Sequence, residues 1–246
     1  MKYVLSYGGG VNSSALFFYL MENKKPLDLV LFADTGEELK ETYDSVERMK
    51  NIAKMYNIEF VVVKSKYGKL YDYYYNKKFV MSVSKRDCTG KFKIAPMKQY
   101  LRGRFGKEEK FVQYIGIAYD EMRRVTTSDV KYIELSYPFV DDKITREGNE
   151  EILKRHNFVA TKSGCIGCPF QSKYKWVELC KTDLQEYMRW ERLEKNNSDY
   201  PKILLNVTWK LEYLREMVKR QTSLKDFKHD YEDDLVCSET RGGCFL

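Results

Sequence analysis

VLSYGGGVNSSAL, residues 4–16, is the stretch on which the reading of this chain turns. Apolar residues up to Leu5 predict a short buried strand, and the apolar run from Ala15 predicts a helix. Between them lie Gly8, Gly9 and Gly10. Glycine lets the backbone turn tightly and lets its N–H groups approach an anion. A helix N-terminus behind such a turn adds partial positive charge. Ser6, Ser13 and Ser14 offer hydroxyls to phosphate oxygens, and Asn12 or Ser13 is a candidate helix cap. The spacing matches neither the Walker phosphate loop nor the dinucleotide fingerprint. A glycine turn without a ligand is the plain alternative, although three glycines carry a backbone entropy cost that a simple turn does not require.

Working outward, LDLVLFAD (27–34) predicts a second strand, the 37–56 segment an amphipathic helix, and IEFVVVK (58–64) a third strand. Short connections between alternating strands and helices predict an α/β three-layer sandwich with a mainly parallel, doubly wound sheet. Residues 96–102 read as helical after Pro96, 109–118 as a further strand, and 131–140 as a strand running into a turn. From about residue 146 the pattern becomes helical. The expected division is a nucleotide-binding domain over 1–145 and a helical, cysteine-bearing region over 146–246, the two also readable as one continuous domain. NNSDYP (196–201) is the best linker candidate.

Composition narrows the class. The 246 residues are 43% hydrophobic and 15% aromatic, too apolar for a disordered chain. At 32% charged residues, and with no apolar run of the ~18 residues a span needs, a polytopic membrane protein is excluded. The apolar run near the N-terminus is too short for a signal core. The expectation is therefore a cytoplasmic protein whose six cysteines are reduced, so their chemistry is that of metals or sulfur rather than disulfides.

SYGGGVNSSAL resembles the pyrophosphate-binding loop of the adenine-nucleotide α-hydrolase group, written Ser-Gly-Gly-x-Asp-Ser, at Ser6, Gly9, Gly10, Asn12 and Ser13. Asn12 stands where the group has Asp, and Val11 where it often has Lys; both departures count against ATP pyrophosphate cleavage. LFADTGEELKETYDSV (31–46), RDCTGKFKIAPMKQYLR (86–102) and GIAYDEMRR (116–124) resemble successive segments of the PAPS reductase family within that group. The resemblance implies phosphate binding by Gly8, Gly9, Gly10, Asn12, Ser13 and Ser14. It places Asp34 and Thr35 against Mg²⁺ or the nucleoside, and Gly116 and Glu121 in the nucleotide site. Arg86, Lys93 and Arg124 are assigned to anionic groups. Taken alone, Asp34-Thr35-Gly36 also reads as a cap and turn, and Arg123 and Arg124 as a solvated basic face.

SGCIGCPF (163–170) carries Cys165 and Cys168, a spacing that lets both sulfurs bind one metal or cluster. The family resemblance adds Cys88 and implies an iron–sulfur cluster on Cys88, Cys165 and Cys168. Asp87 occupies the place of a second adjacent cysteine. A fourth ligand from Cys180, Cys237 or Cys244, an open iron, a zinc site and a redox dithiol all stay open, and Cys180 also reads as a core residue. Cys244 near the C-terminus is a loose echo of a nucleophilic cysteine, without the family's Glu-Cys-Gly-Leu-His motif.

Charge gives partners less sharply. Lys and Arg number 43 against 36 Asp and Glu, a net charge of +7, with tyrosines interleaved among lysines at 66–78. That suits a tRNA or DNA acceptor, a polyanionic nucleotide or an ordinary basic surface. The leading expectation is ATP-dependent adenylation and sulfur transfer (thiolation), with Mg²⁺, an iron–sulfur cluster and a sulfur donor. The alternatives are a sulfonucleotide reductase working with a thioredoxin-type reductant, and a non-catalytic nucleotide-binding or cluster-sensing module.

Overall fold

The computed structural model describes residues 1–81, 87–196 and 210–220. Arg86, Cys237, Cys244 and nearly all of the linker candidate lie outside these residues.

Five strands form one parallel sheet: β1 (Lys2–Tyr7), β2 (Leu29–Asp34), β3 (Glu59–Lys64), β4 (Phe111–Ile115) and β5 (Ile133–Ser136). Their spatial order is β3-β2-β1-β4-β5, with Ser6 in register with Leu31 on one side and Ile115 on the other. The chain winds outward from β1 to β3, then crosses back to β4 and β5. The strand order therefore reverses between β1 and β4, the place where open α/β sheets bind ligands beyond the strand carboxyl ends.

Helices cover both faces. α1 (Val11–Glu22), α2 (Lys40–Met55) and α6 (Arg146–Arg155) enclose a core in which Leu16, Phe17 and Leu20 meet Leu5, Val30, Met49 and Ile152. On the opposite face Val4, Leu29 and Leu31 pack against Met97 and Leu101 of α4 (Ala95–Phe105). Helix α1 is apolar nearly all round because the sheet, α2 and α6 surround it. Its N-cap is Gly10, with no side-chain cap bond, so Asn12 and Ser13 are not the caps that the sequence suggested. Ser13 instead accepts from the Gly8 N–H at 3.1 Å and donates to the Gly10 carbonyl at 3.2 Å, bracing the glycine turn.

A second, aromatic core joins α3 (Leu70–Asn76) to α7 (Lys173–Thr182), α8 (Leu184–Lys195) and α9 (Leu211–Lys219). Tyr74, Phe92, Trp176, Tyr187 and Trp190 are all fully buried there. Cys180 is part of this core, as its helical position suggested. The tyrosine-rich stretch forms α3, an element that its lysines concealed. Residues 174–196 read as one helical run, but the chain breaks at Asp183, whose carboxylate accepts from the Glu186 N–H at 3.0 Å and starts α8. α5 (Pro138–Asp141) is a single turn after β5. Among the described residues no helix is long and apolar enough to cross a membrane.

Candidate functional site

A cavity of about 390 Å³ opens above the carboxyl ends of β1 and β4. Ser6, Gly10, Asn12 and Ser13 form one part of its wall, Gly116, Glu121 and Arg124 the next, and Thr35, Lys93, Cys88, Cys165 and Cys168 the far side. Most of the residues singled out in the sequence thus meet around one space, although they span from Ser6 to Cys168. Gly8, Gly9, Ser14 and Asp34 do not line it. Ser14 is fully buried and shares a hydrogen bond with the Tyr7 hydroxyl at 2.9 Å. Burial pushes that Tyr7 hydroxyl up to about 12, so it stays protonated in the core.

The turn after β1 lies directly against the turn after β4. A Cβ placed on Gly116 would stand 2.9 Å from the Asn12 carbonyl carbon and oxygen and from the Ser13 nitrogen. These are backbone atoms that cannot swing aside, so glycine is required where β4 meets the start of α1. Beyond it, residues Tyr119–Arg124 form a tight 3₁₀ turn. That turn presents Glu121, which accepts from Asn12 Nδ2 and from Arg124 Nη1, each at 2.7 Å.

Asp34 does the work of a turn residue. Its Oδ1 accepts from the Gly36 N–H and from the Tyr43 hydroxyl, each at 2.8 Å, and Lys64 lies 3.6 Å from Oδ2. The next residues face inward. Glu38 is buried, and its Oε1 accepts from Thr35 Oγ1 at 2.9 Å and from the Cys165 thiol at 3.3 Å. Lys93, on a π-helical turn over Thr89–Ile94, pairs with the same oxygen at 3.3 Å. Desolvation and the Glu38 carboxylate push the Cys165 thiol well above its ordinary range, against the opposing effects of Lys93 and Thr35.

The Cys-x-x-Cys turn is tied to the loop after β2 through the backbone. Glu38 and Cys165 form an isolated antiparallel bridge, flanked by Leu39 N–H to the Gly164 carbonyl and Ile166 N–H to the Glu37 carbonyl, both at 2.8 Å. From below, Gly167 packs flat against the Trp190 ring, so closely that any side chain there would enter it. Glu37, also buried, takes a bidentate contact from Arg189 at 2.5 and 2.7 Å, and that guanidinium stacks 3.8 Å over the Tyr71 ring.

The sequence reading missed Glu38, Arg146 and Asn149. Glu38 sits inside the quoted 31–46 segment and could have been flagged there. Arg146 and Asn149 carry no motif; α6 brings them to Asn12 only through packing, with Arg146 Nη1 at 3.3 Å and Asn149 Nδ2 at 3.1 Å from Asn12 Oδ1.

The fit of an iron–sulfur cluster or other metal can be judged from the donors. Three thiols on one cavity wall supply suitable chemistry. Among the described residues, however, no group of three or more His, Cys, Asp or Glu is arranged to hold a metal ion. No chemical step is derived through such a group.

The phosphoadenosine phosphosulfate reductase domain matches residues 2–129, which takes in all of the parallel sheet except β5. An uncharacterised protein of Methanocaldococcus jannaschii is 39% identical over 98 residues, covering 39% of this chain and only 22% of that longer protein. The crystal structure of phosphoadenylyl-sulfate (PAPS) reductase from Candida auris, in complex with phosphate, matches at 12% identity with a TM-score of 0.44, over 65% of this chain and 74% of that one. With the domain match taking in more than half of its 246 residues, the chain belongs to the phosphoadenosine phosphosulfate reductase domain family.

Proposed function

We propose that this protein is an adenine-nucleotide-dependent enzyme of sulfur metabolism. One observation carries the reading: the turn after β1 and all three matched cysteines, Cys88, Cys165 and Cys168, line the same cavity. In this reading Gly10, Ser6 and Ser13 receive the phosphates at the start of α1, while Gly8 and Gly9 shape the turn behind them. Lys93, Arg124 and Arg86 neutralise the anionic groups, and Thr35 and Gly116 bound the nucleotide. Asp34 acts by shaping the Thr35–Glu38 loop.

The first form of the reaction is thiolation. An acceptor oxygen attacks the α-phosphate of ATP and pyrophosphate leaves; sulfide-level sulfur from a donor then attacks the adenylated carbon, and AMP leaves with the oxygen. Among the described residues, six cations against two carboxylates in the cavity wall suit such a polyanionic substrate. A tRNA or DNA acceptor agrees with the basic balance of the chain. The second form is sulfonucleotide reduction, in which a thiolate such as that of Cys244 attacks the sulfate sulfur and expels the nucleoside phosphate, leaving an S-sulfocysteine; a thiol of a thioredoxin-type reductant then attacks the cysteine sulfur, releasing sulfite and forming a disulfide. The neutral Asn12 at the phosphate turn favours this form over ATP cleavage.

The test is anaerobic purification with iron, sulfide and zinc analysis, followed by assays of pyrophosphate and sulfite release from ATP, adenosine phosphosulfate and PAPS. Pyrophosphate from ATP supports thiolation, and sulfite from a sulfonucleotide supports reduction. Failure of all three nucleotides to bind or react overturns the reading. Bound iron with sulfide would assign Cys88, Cys165 and Cys168 to a cluster.

A further inference from the structure

Asn12 holds the position at which a carboxylate in the phosphate turn could serve a magnesium ion, and its surroundings are built for the opposite charge. Its only side-chain oxygen receives two donors, the Arg146 guanidinium at 3.3 Å and the Asn149 amide at 3.1 Å. Its amide nitrogen is committed to Glu121 at 2.7 Å. Asn149 is completely buried, and its own Oδ1 has no hydrogen-bond partner among the described residues. The amide therefore keeps its donor toward Asn12 while its acceptor goes unmet, and a cation beside Asn12 Oδ1 would face these donors rather than lone pairs. The other charged groups around this corner are Glu121, Arg124, Asp120 and Arg123, with Glu150 3.1 Å from Arg146 on the outer side. Asp120 Oδ1 is already used by the Arg146 backbone N–H at 3.0 Å. Arg146 and Asn149 lie beyond the segment that the family model matches.

We infer that the nucleotide is bound without a divalent cation at this corner, and that Arg146, seated on Asn12, supplies the positive charge that magnesium would otherwise bring. The inference rests on the reading of the cavity as a nucleotide site. The ligand class is then a nucleotide presented free of metal, with its phosphate or sulfate oxygens met by guanidinium groups. Asn12 and Glu121 are matched to each other: a carboxylate at position 12 would stand against Glu121 at hydrogen-bond distance, and the pair would need a cation or a proton between them.

The experiment is calorimetric titration of the full chain with ATP, with adenosine phosphosulfate and with PAPS, each in EDTA and in excess magnesium. The wild-type protein is expected to bind at least one of them as tightly in EDTA as in magnesium. Arg146→Gln should weaken binding in EDTA by roughly tenfold, the loss of one charge-assisted contact. Asn12→Asp should bind weakly in EDTA and regain affinity in magnesium. Wild-type binding that requires magnesium overturns the inference and leaves the nucleotide reading standing. Absence of binding in both buffers overturns both. A thermal melt of each variant without ligand separates loss of fold from loss of binding.

Discussion

The two walls of the cavity are held by different means. On the phosphate side, Gly116 lies on the backbone of Asn12 and Ser13, and the register of β1 with β4 fixes both turns. On the cysteine side, a backbone bridge at Cys165 is backed by side chains: the Trp190 ring beneath Gly167, and the Glu37–Arg189 pair beside the bridge. Backbone-on-backbone packing leaves little room for relaxation, because neither partner has a rotamer to change. Side-chain supports can be altered one at a time. The contrast is between a wall set by backbone packing alone and one whose backbone bridge has side-chain supports beneath and beside it.

Trp190→Ala is the most damaging test of this contrast. Removing a fully buried tryptophan should cost about 3–5 kcal/mol in urea unfolding. At temperatures where the variant stays folded, a thiol-reactive dye should label Cys165 and Cys168 faster, while nucleotide affinity changes little. Equal loss on both walls would break the distinction. Gly116→Ala is next, at about 1–3 kcal/mol from overpacking against fixed backbone. Here nucleotide affinity should fall by an order of magnitude with thiol labelling unchanged, since small displacements of positioning groups have large effects.

Arg189→Met leaves the buried Glu37 carboxylate without its bidentate partner. Because Arg189 is 28% exposed, the cost should be lower than for a fully buried pair, about 1–3 kcal/mol in the same unfolding assay. It should also speed thiol labelling, because Glu37 adjoins the bridge that seats Cys165. The smallest effect is expected from Ser13→Ala, which removes the brace on Gly8 for about 1 kcal/mol and weakens nucleotide binding modestly by titration.

The same contrast explains what the sequence disclosed. The strands up to β3 and the glycine turn were readable because local patterns specify them: apolar runs of strand length, and three glycines where the chain must turn. Ser6, Asn12 and Gly116 could be gathered in advance through the family resemblance, and they meet because a parallel sheet brings its strand ends together; Cys165 was marked by its Cys-x-x-Cys spacing and the same resemblance. Helix α3 stayed hidden, since Tyr71 and Tyr74 are buried while Lys69, Lys77 and Lys78 are exposed, and tyrosine and lysine together read as surface. The break at Asp183 depends on a cap that a continuous helical pattern masks. Glu38, Arg146 and Asn149 gain their meaning from partners far away in sequence. No local period marks a residue whose role is to donate to Asn12.

The antiparallel bridge between Glu38 and Cys165 has a consequence for exchanging parts between proteins. It makes the separation of the thiol turn from the loop after β2 a matter of backbone registry rather than side-chain reach. A Cys-x-x-Cys segment transplanted here without the residues that precede Cys165 would keep its sulfurs and lose its address. Conversely, any ligand that shifts the loop at Thr35 would carry Cys165 with it, so occupancy of the nucleotide side would be felt at the thiols as a displacement of the chain itself.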